Sequence, residues 1–170
     1  MNGYMNALRR YFEFSGRSSR SEFWFFILFL VILLIIASII DQVVLGSQGP
    51  GILYFIVAIG HLIPGIAVSV RRLHDIDRTG LWVLLFWLAP IVVSLIGMVL
   101  MGGSIFMMMS GETAGMAAGF ATMGAGFLLI AIIDIAILVI AIVFYVTPGT
   151  PGDNTYGPPA GIARIDRVLD

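Results

Sequence analysis

The sequence predicts an all-α, polytopic membrane protein with four transmembrane helices and an interfacial amphipathic helix at its N-terminus. Of the 170 residues, 59% are hydrophobic and 11% are charged, compared with about 45–50% and about 25% in soluble domains. A chain this short cannot bury so much apolar surface in a water-soluble core. Its apolar residues also form runs of about twenty, the length that crosses a bilayer. We therefore expect a single membrane domain whose apolar faces contact lipid.

Residues 4–13 predict a short amphipathic helix in the membrane interface, because apolar and polar side chains separate onto two helical faces. Arginines on the polar face suit anionic headgroups, and aromatic residues on the other face suit acyl chains. The alternative is a frayed amphipathic tail. The apolar face holds Tyr4, Met5, Leu8, Tyr11 and Phe12, and the polar face holds Asn6, Arg9, Arg10 and Glu13.

A capping box predicts that the first span begins near Ser19. In the segment SRSE, the Ser19 hydroxyl can accept one N–H group of the first turn while Glu22 reaches back to another. The run from Phe23 to Ile40 carries no charge and opens with four aromatic residues, as is typical of an aromatic belt. The predicted span is about 20–41, and the GSQGPG segment at 46–51 is a turn.

A second span is predicted at about 52–72, with Pro64 inside it. Proline removes one helical hydrogen bond, so we expect a kink and a freed carbonyl at Gly60. His61 lies three positions before the proline. A single neutral histidine in that setting is more often a packing hydrogen bond than a ligand.

Two further spans are predicted at about 80–101 and 127–146, followed by a cytoplasmic tail at 147–170 whose residues 161–170 suit a short helix. Between these spans, residues 102–126 are rich in Gly, Ala and Met, and either an outer helix or an outer loop fits them. In a helix, Gly111, Gly115 and Gly119 would form a packing face of bare backbone. Glycine, however, costs roughly 1 kcal/mol per helical position relative to alanine.

The arginines predict the orientation of the chain. With four spans, all nine arginines fall on one side of the membrane, and the loops after the first and third spans contain none. The positive-inside rule makes that side cytoplasmic. We therefore expect a bacterial inner-membrane protein with both termini in the cytoplasm.

Three polar segments stand out: FSGRSSRSEFWFF from Phe14, RRLHDIDRTGLW from Arg71 and GTPGDNTYGP from Gly149. In order and spacing they resemble the signatures of a bacterial inner-membrane family catalogued as domain of unknown function 805. The resemblance implies a location in the inner membrane and no particular reaction. Two features depart from the family pattern: Asp77 occupies a position that is often small or variable, and residues 102–126 look like an insertion.

The predicted topology places these three segments on one cytoplasmic surface, where they would form a charged cluster. We expect Asp75, Asp77 and Arg78 to be exposed there in a tight turn. In one interpretation, which we favour, the charges pair with one another and fix the helix ends. In the other, the arginines bind an anionic headgroup or a phosphorylated ligand. The charged cluster comprises Arg17, Arg20, Glu22, Arg71, Arg72, His74, Asp75, Asp77, Arg78, Asp153, Asn154 and Tyr156.

Asp134 is the ionisable residue inside the fourth span. Such a group costs roughly 2.5–3.5 kcal/mol at mid-bilayer and often serves transport. Because His61 is expected at a similar depth, a proton or ion path through the two residues is an alternative to a protonated or paired structural aspartate. In an oligomeric transporter, the three spaced glycines would form the packing seam.

No catalytic motif is apparent in the sequence, so we expect no enzyme activity and no cofactor. A metal site at His74, Asp75 and Asp77 is disfavoured because no third nitrogen or sulfur ligand is near. The leading hypothesis is a non-enzymatic scaffold or accessory subunit that binds anionic lipid or a protein partner through a cytoplasmic arginine-rich surface. The alternative is a small oligomeric transporter or channel. The expected partners are membrane lipids and either another protein or further copies of the chain, without nucleic acid.

Overall fold

The computed structural model is all-helical, and it describes residues 2–109 and 112–160. The predicted all-α class is therefore confirmed. The expected short helix at 161–170 lies outside the described residues, as does Gly111. The helices are α1 (Asn2–Arg9), α2 (Arg20–Val43), α3 (Ile52–Asp75), α4 (Trp82–Met108) and α5 (Thr113–Val146).

Within the described residues, α2 to α5 are long and apolar enough to cross a membrane, which confirms the four predicted spans by length and composition. They contain 24, 24, 27 and 34 residues, and at ~1.5 Å per residue each exceeds the hydrocarbon core of about 30 Å. Large apolar side chains are exposed along all four helices. Lipid is the solvent that such surfaces require.

The Gly- and Met-rich residues 102–126 are helical on both sides of a short connection. α4 continues to Met108 and α5 begins at Thr113, so both helices extend beyond the predicted bounds of 101 and 127. Of the two interpretations left open for this stretch, helix is the observed one. Helical structure is favoured here because backbone groups at membrane depth must be hydrogen-bonded within the chain.

The chain divides into two compact units, residues 1–82 with 144–170 and residues 83–143. In the second unit, α4 and α5 approach closely at Gly119. A Cβ atom added there would lie 2.7 Å from the Ser104 carbonyl oxygen. Close by, the hydroxyls of Ser104 and Thr122 are 2.8 Å apart. Gly119 thus packs against its own chain, while Gly115 lies within α5.

In the first unit, α1 packs against both α2 and α3. The Tyr11 hydroxyl donates to the Gly60 carbonyl at 2.8 Å, which is the carbonyl that Pro64 was predicted to free. Met5 is 45% and Phe12 is 73% exposed. The predicted apolar face therefore divides: its tyrosines contact the protein, and Met5 and Phe12 stay available to acyl chains.

Side chains cap the start of α2 and the start of α3. Ser19 is the N-cap of α2, and its hydroxyl accepts the Glu22 N–H at 3.2 Å, which confirms the predicted start. The Glu22 carboxylate instead accepts hydrogen bonds from Asn6 and Ser18. At the other end of α2, the fully buried Asp41 carboxylate accepts three N–H groups at the start of α3, one of them from its N-cap residue. These are the N–H groups of Gly51 at 3.1 Å, Leu53 at 3.1 Å and Tyr54 at 2.9 Å.

Candidate functional site

Five charged side chains of the first unit form a buried network, which we call the arginine core. Arg17 and Arg72 both pair with Asp75, and Arg71 pairs with Glu22. The Arg17 Nε to Asp75 Oδ1 distance is 2.9 Å, and the Arg71 Nη2 to Glu22 Oε1 distance is 3.2 Å. The side chains of Arg71 and Arg72 are 0% exposed. These five charges, which were expected on a surface, therefore lie inside the protein.

Arg71 joins α3 to the connection between α1 and α2. Its guanidinium donates to the Ser18 hydroxyl at 2.9 Å and to the Arg10 carbonyl at 3.2 Å. It also donates to the Glu13 carbonyl. In return, the Ser18 N–H donates to the Arg71 carbonyl at 3.0 Å. Nearby, the hydrogen bond to Glu13 raises the pKa of Arg10, which stabilises the charged form of that side chain.

Arg72 caps the end of α5 from α3. Its guanidinium donates to the Tyr145 carbonyl at 3.2 Å and to the Thr147 carbonyl. Carbonyls at a helix C-terminus have no partner within the helix, and the helix dipole makes that end negative. A buried cation from another helix supplies both the donors and the charge.

Arg17 holds the GTPGDN segment against the end of α3. It donates to the carbonyls of Thr150 and Gly152 at 2.7 Å each. The Thr150 N–H in turn donates to the Asp75 carbonyl at 2.8 Å. A Cβ atom at Gly149 would collide with the Asp75 carboxylate, so a glycine is needed there for the segment to approach.

His74, Asn154 and Tyr156 complete this packing. The His74 and Tyr156 rings stack with centroids 3.8 Å apart and an interplanar angle of 4°. Asn154 Nδ2 donates to the His74 carbonyl at 2.8 Å and to the Thr150 hydroxyl at 2.9 Å. Its Oδ1 accepts the Tyr156 N–H at 2.9 Å. The three residues therefore position the C-terminal turn of the structure.

The expected exposure of Asp75 is wrong, since only 8% of its side chain is accessible. Burial is tolerated because two guanidinium groups compensate the carboxylate. Asp77 and Arg78 are exposed as expected. Asp77 adopts φ +56°, and its Oδ1 accepts the Thr155 N–H at 3.3 Å. Arg78 lies 5.9 Å from the centroid of the Phe144 ring, and Asp153 is also exposed.

The arginine core holds separate segments of the same chain together through hydrogen bonds and ion pairs. A guanidinium offers five N–H donors in a planar fork, and in Arg17, Arg71 and Arg72 these donors point at carboxylates and carbonyls of the same chain. An anionic ligand could reach them only by displacing those contacts. Among the described residues, no group of three His, Cys, Asp or Glu side chains is arranged to hold a metal ion.

His61 of the first unit is engaged in packing hydrogen bonds. Its Nδ1 lies 2.8 Å from the Val57 carbonyl, which can only accept, so Nδ1 carries the hydrogen. In the neutral ring Nε2 then accepts from the Tyr4 hydroxyl at 2.8 Å. Burial raises the pKa of Tyr4, so its hydroxyl keeps the proton that it donates. Nε2 of His61 therefore joins α3 to α1, whereas Nδ1 is bound to a carbonyl of α3 itself.

Asp134 lies on α5 in the second unit. Its Oδ1 is buried and has no hydrogen-bond partner within the described part of the chain. Because His61 and Asp134 belong to different units, the path through both residues stays a prediction.

Sequence reasoning missed two structural roles. Asp41 was identified only as the end of the first span. It lies within α2, ten residues before the N-cap Gly51 of α3, so the N-cap pattern in the sequence does not assign its carboxylate to α3. The backbone carbonyls that surround the arginine core leave no signal in the sequence, because any residue type supplies them.

A family model described as "Protein of unknown function (DUF805)" matches residues 11–158, a range that contains all three polar segments. The chain belongs to this family. The inner membrane protein YhaI of Escherichia coli (strain K12) is 40% identical over 87 residues, which cover 51% of this chain and 72% of the relative. The inner membrane protein YhaH of the same strain is 42% identical over 101 residues, which cover 54% and 83%. No solved structure matches the chain. The four spans and these relatives identify an integral membrane protein.

Proposed function

We propose that this protein is a non-enzymatic scaffold or accessory subunit of the bacterial inner membrane, which binds anionic lipid or a protein partner through an arginine-bearing cytoplasmic surface. The observation that carries the proposal is the burial of Arg17, Arg71 and Arg72 among partners of their own chain. Arginines buried in this way support a structural role for the family's three signature segments.

The binding surface in this proposal is smaller than the sequence indicated. Arg9, Arg20 and Arg78 are the exposed arginines among the described residues. Their positions suit contact with headgroups or with an acidic partner, since exposed guanidinium groups bind phosphates and carboxylates bidentately. The proposed orientation, with both termini cytoplasmic, rests on the arginine count and is supported by the convergence of segments near residues 17, 71 and 150.

The proposal is tested by extracting the protein with its surrounding membrane into polymer-bounded particles and identifying the lipids and proteins that come with it. We expect enrichment of anionic lipid, or a specific partner, relative to the bulk membrane. A variant with Arg9, Arg20 and Arg78 changed to Gln should reduce this several-fold. The control neutralises one exposed acid outside the charged cluster, Glu112→Gln, and should change nothing. Bulk lipid composition without a partner would contradict the proposal, as would equal loss in the control.

The second candidate function is a small oligomeric transporter or channel, favoured by the unpartnered Oδ1 of Asp134. An unsatisfied carboxylate oxygen in a membrane span is costly, and such groups often mark ion or proton pathways. If the wild-type protein carries a proton or ion flux in proteoliposomes, and Asp134→Asn abolishes that flux without changing the thermal stability, the transporter function would replace the scaffold proposal. We expect no flux from the wild-type protein, and we expect His61→Gln to weaken packing of α1.

A further inference from the structure

A groove of about 430 Å³ lies at the start of α2 and is lined by Arg20, Ser21, Trp24, Phe25, Leu28 and Val146. The five α2 residues form one stripe, because side chains three and four positions apart are neighbours on a helix surface. Sites for small ligands occupy roughly 300–1,000 Å³. We propose that this groove binds phosphatidylglycerol, with the lipid phosphate contacting Arg20. The inference rests on the proposed function and specifies which anionic lipid is bound and where.

Arg20 differs from the arginines of the core in the donors that it leaves available. Its side chain is exposed, and its one hydrogen bond to another described residue is from Nη1 to the Val146 carbonyl at 3.4 Å. That length is beyond the usual range of about 2.7–3.2 Å. The remaining N–H groups can approach a phosphate in the bidentate geometry that guanidinium favours.

The wall of the groove is apolar and aromatic. Trp24 is 39%, Phe25 is 42% and Leu28 is 51% exposed, and they follow Arg20 along α2 toward the middle of the span. Aromatic side chains favour the headgroup level of a bilayer. A cation followed by aromatic and then aliphatic side chains matches the order of phosphate, glycerol backbone and acyl chain in a phospholipid. Free phosphate would contact the cation alone.

The charges around the groove select the headgroup. No carboxylate is among its lining residues. The nearest acid along α2, Glu22, is buried and accepts from Asn6, Ser18 and Arg71. An ammonium group, as in phosphatidylethanolamine, would therefore find no partner. One arginine suits one phosphate, which favours phosphatidylglycerol over the two phosphates of cardiolipin.

The test is a lipid titration of the full chain in neutral detergent, followed by native mass spectrometry. The ligands are phosphatidylglycerol, phosphatidylethanolamine, cardiolipin and soluble glycerophosphate. We expect one phosphatidylglycerol to bind more tightly than the others. Arg20→Gln should weaken it about five- to tenfold, as expected for one arginine at an anionic surface, and Trp24→Ala should weaken it without changing the preference for the anionic headgroup. The matched exposed-arginine control, Arg9→Gln, should change it less than about twofold.

The outcomes separate this inference from the function on which it rests. Equal weakening by Arg9→Gln and Arg20→Gln would overturn the groove while leaving anionic lipid binding by the surface intact. Equal binding of phosphatidylethanolamine, or tight binding of glycerophosphate, would also overturn it. If the wild-type protein bound no anionic lipid, both this site and the lipid-binding part of the proposed function would be refuted. A thermal melt of each variant establishes that binding is compared between folded proteins. Arg20→Lys keeps the charge but loses the planar pair of donors, so its affinity for phosphatidylglycerol should lie between those of the wild type and Arg20→Gln.

Discussion

Arg17 and Asp75 are 58 positions apart in the sequence and form an ion pair of 2.9 Å whose side chains are 1% and 8% exposed. The pair connects the segment before α2 to the end of α3, and Arg17 carries the connection onward to residues 150–152. Removing one member of such a pair leaves an uncompensated buried charge, which costs about 3–5 kcal/mol. In this chain, buried contacts of Arg17 therefore join the three signature segments of the family.

Arg71→Gln should destabilise the protein far more than Arg78→Gln. Arg71 is fully buried with Glu22 and several carbonyls, so we expect a loss of about 3–5 kcal/mol. Arg78 is exposed against Phe144, and a cation–π contact of that kind contributes about 0.5–1 kcal/mol. The measurement is thermal unfolding of each variant in lipid nanodiscs. Similar melting temperatures for the two variants would show that Arg71 is not held as described.

Asp41→Ala should loosen the connection between α2 and α3. The buried carboxylate satisfies three N–H groups at the start of α3, and losing a side chain that accepts such N–H groups costs about 1–2 kcal/mol. Asp41→Asn retains an acceptor and should cost less. Hydrogen exchange of the amides of Leu53 and Tyr54 reports the effect directly. Exposed Gln42→Ala is the control, and unchanged protection in Asp41→Ala would refute the cap.

Asp77 should tolerate Asn or Gly better than Ala. Its φ of +56° is left-handed, a conformation that costs most residues about 1–2 kcal/mol and that Asn and Gly adopt more readily. Asn also keeps an oxygen for the Thr155 N–H. We expect the order of melting temperatures to be wild type and Asn highest, then Gly, then Ala. An Ala variant as stable as the Asn variant would contradict the assigned turn.

Gly119→Leu should disrupt the second unit, while Gly124→Leu should be tolerated. A side chain at 119 would meet the Ser104 carbonyl and Met108, whereas no atom lies within 4 Å of a Cβ at 124. Overpacking of this kind costs about 1–3 kcal/mol. The readout is the melting temperature together with the elution volume of the purified protein. If Gly119→Leu left stability intact and changed only the oligomeric state, Gly119 would belong to a seam between copies.

The elements that depend on local sequence were predictable. The Ser19 hydroxyl caps α2 as predicted, although the Glu22 carboxylate does not complete the capping box. The four spans follow from apolar runs that are long enough to cross a bilayer. The burial of Arg71, Arg72 and Asp75 was not predictable, because arginine near a span end is as common at headgroups as inside a protein. What decides between the two is the set of backbone carbonyls from residues 10–13, 145–147 and 150–157, and these come together only in the folded chain. The sequence also did not decide whether α4 and α5 extend through the glycine-rich stretch. The low helix propensity of glycine disfavours a helix there, whereas placement in the membrane favours one.

The most direct measurement of the central claim, that the signature charges hold the fold, is a double-mutant cycle on Arg17 and Asp75. Arg17→Gln, Asp75→Asn and the double variant are compared by thermal unfolding in nanodiscs of fixed lipid composition. We expect each single change to lower stability strongly and the double variant to lose less than the sum, with a coupling of about 0.5–3 kcal/mol. Single variants that retain the wild-type melting temperature, with additive effects and altered retention of a ligand, would contradict the claim and identify a binding site in its place.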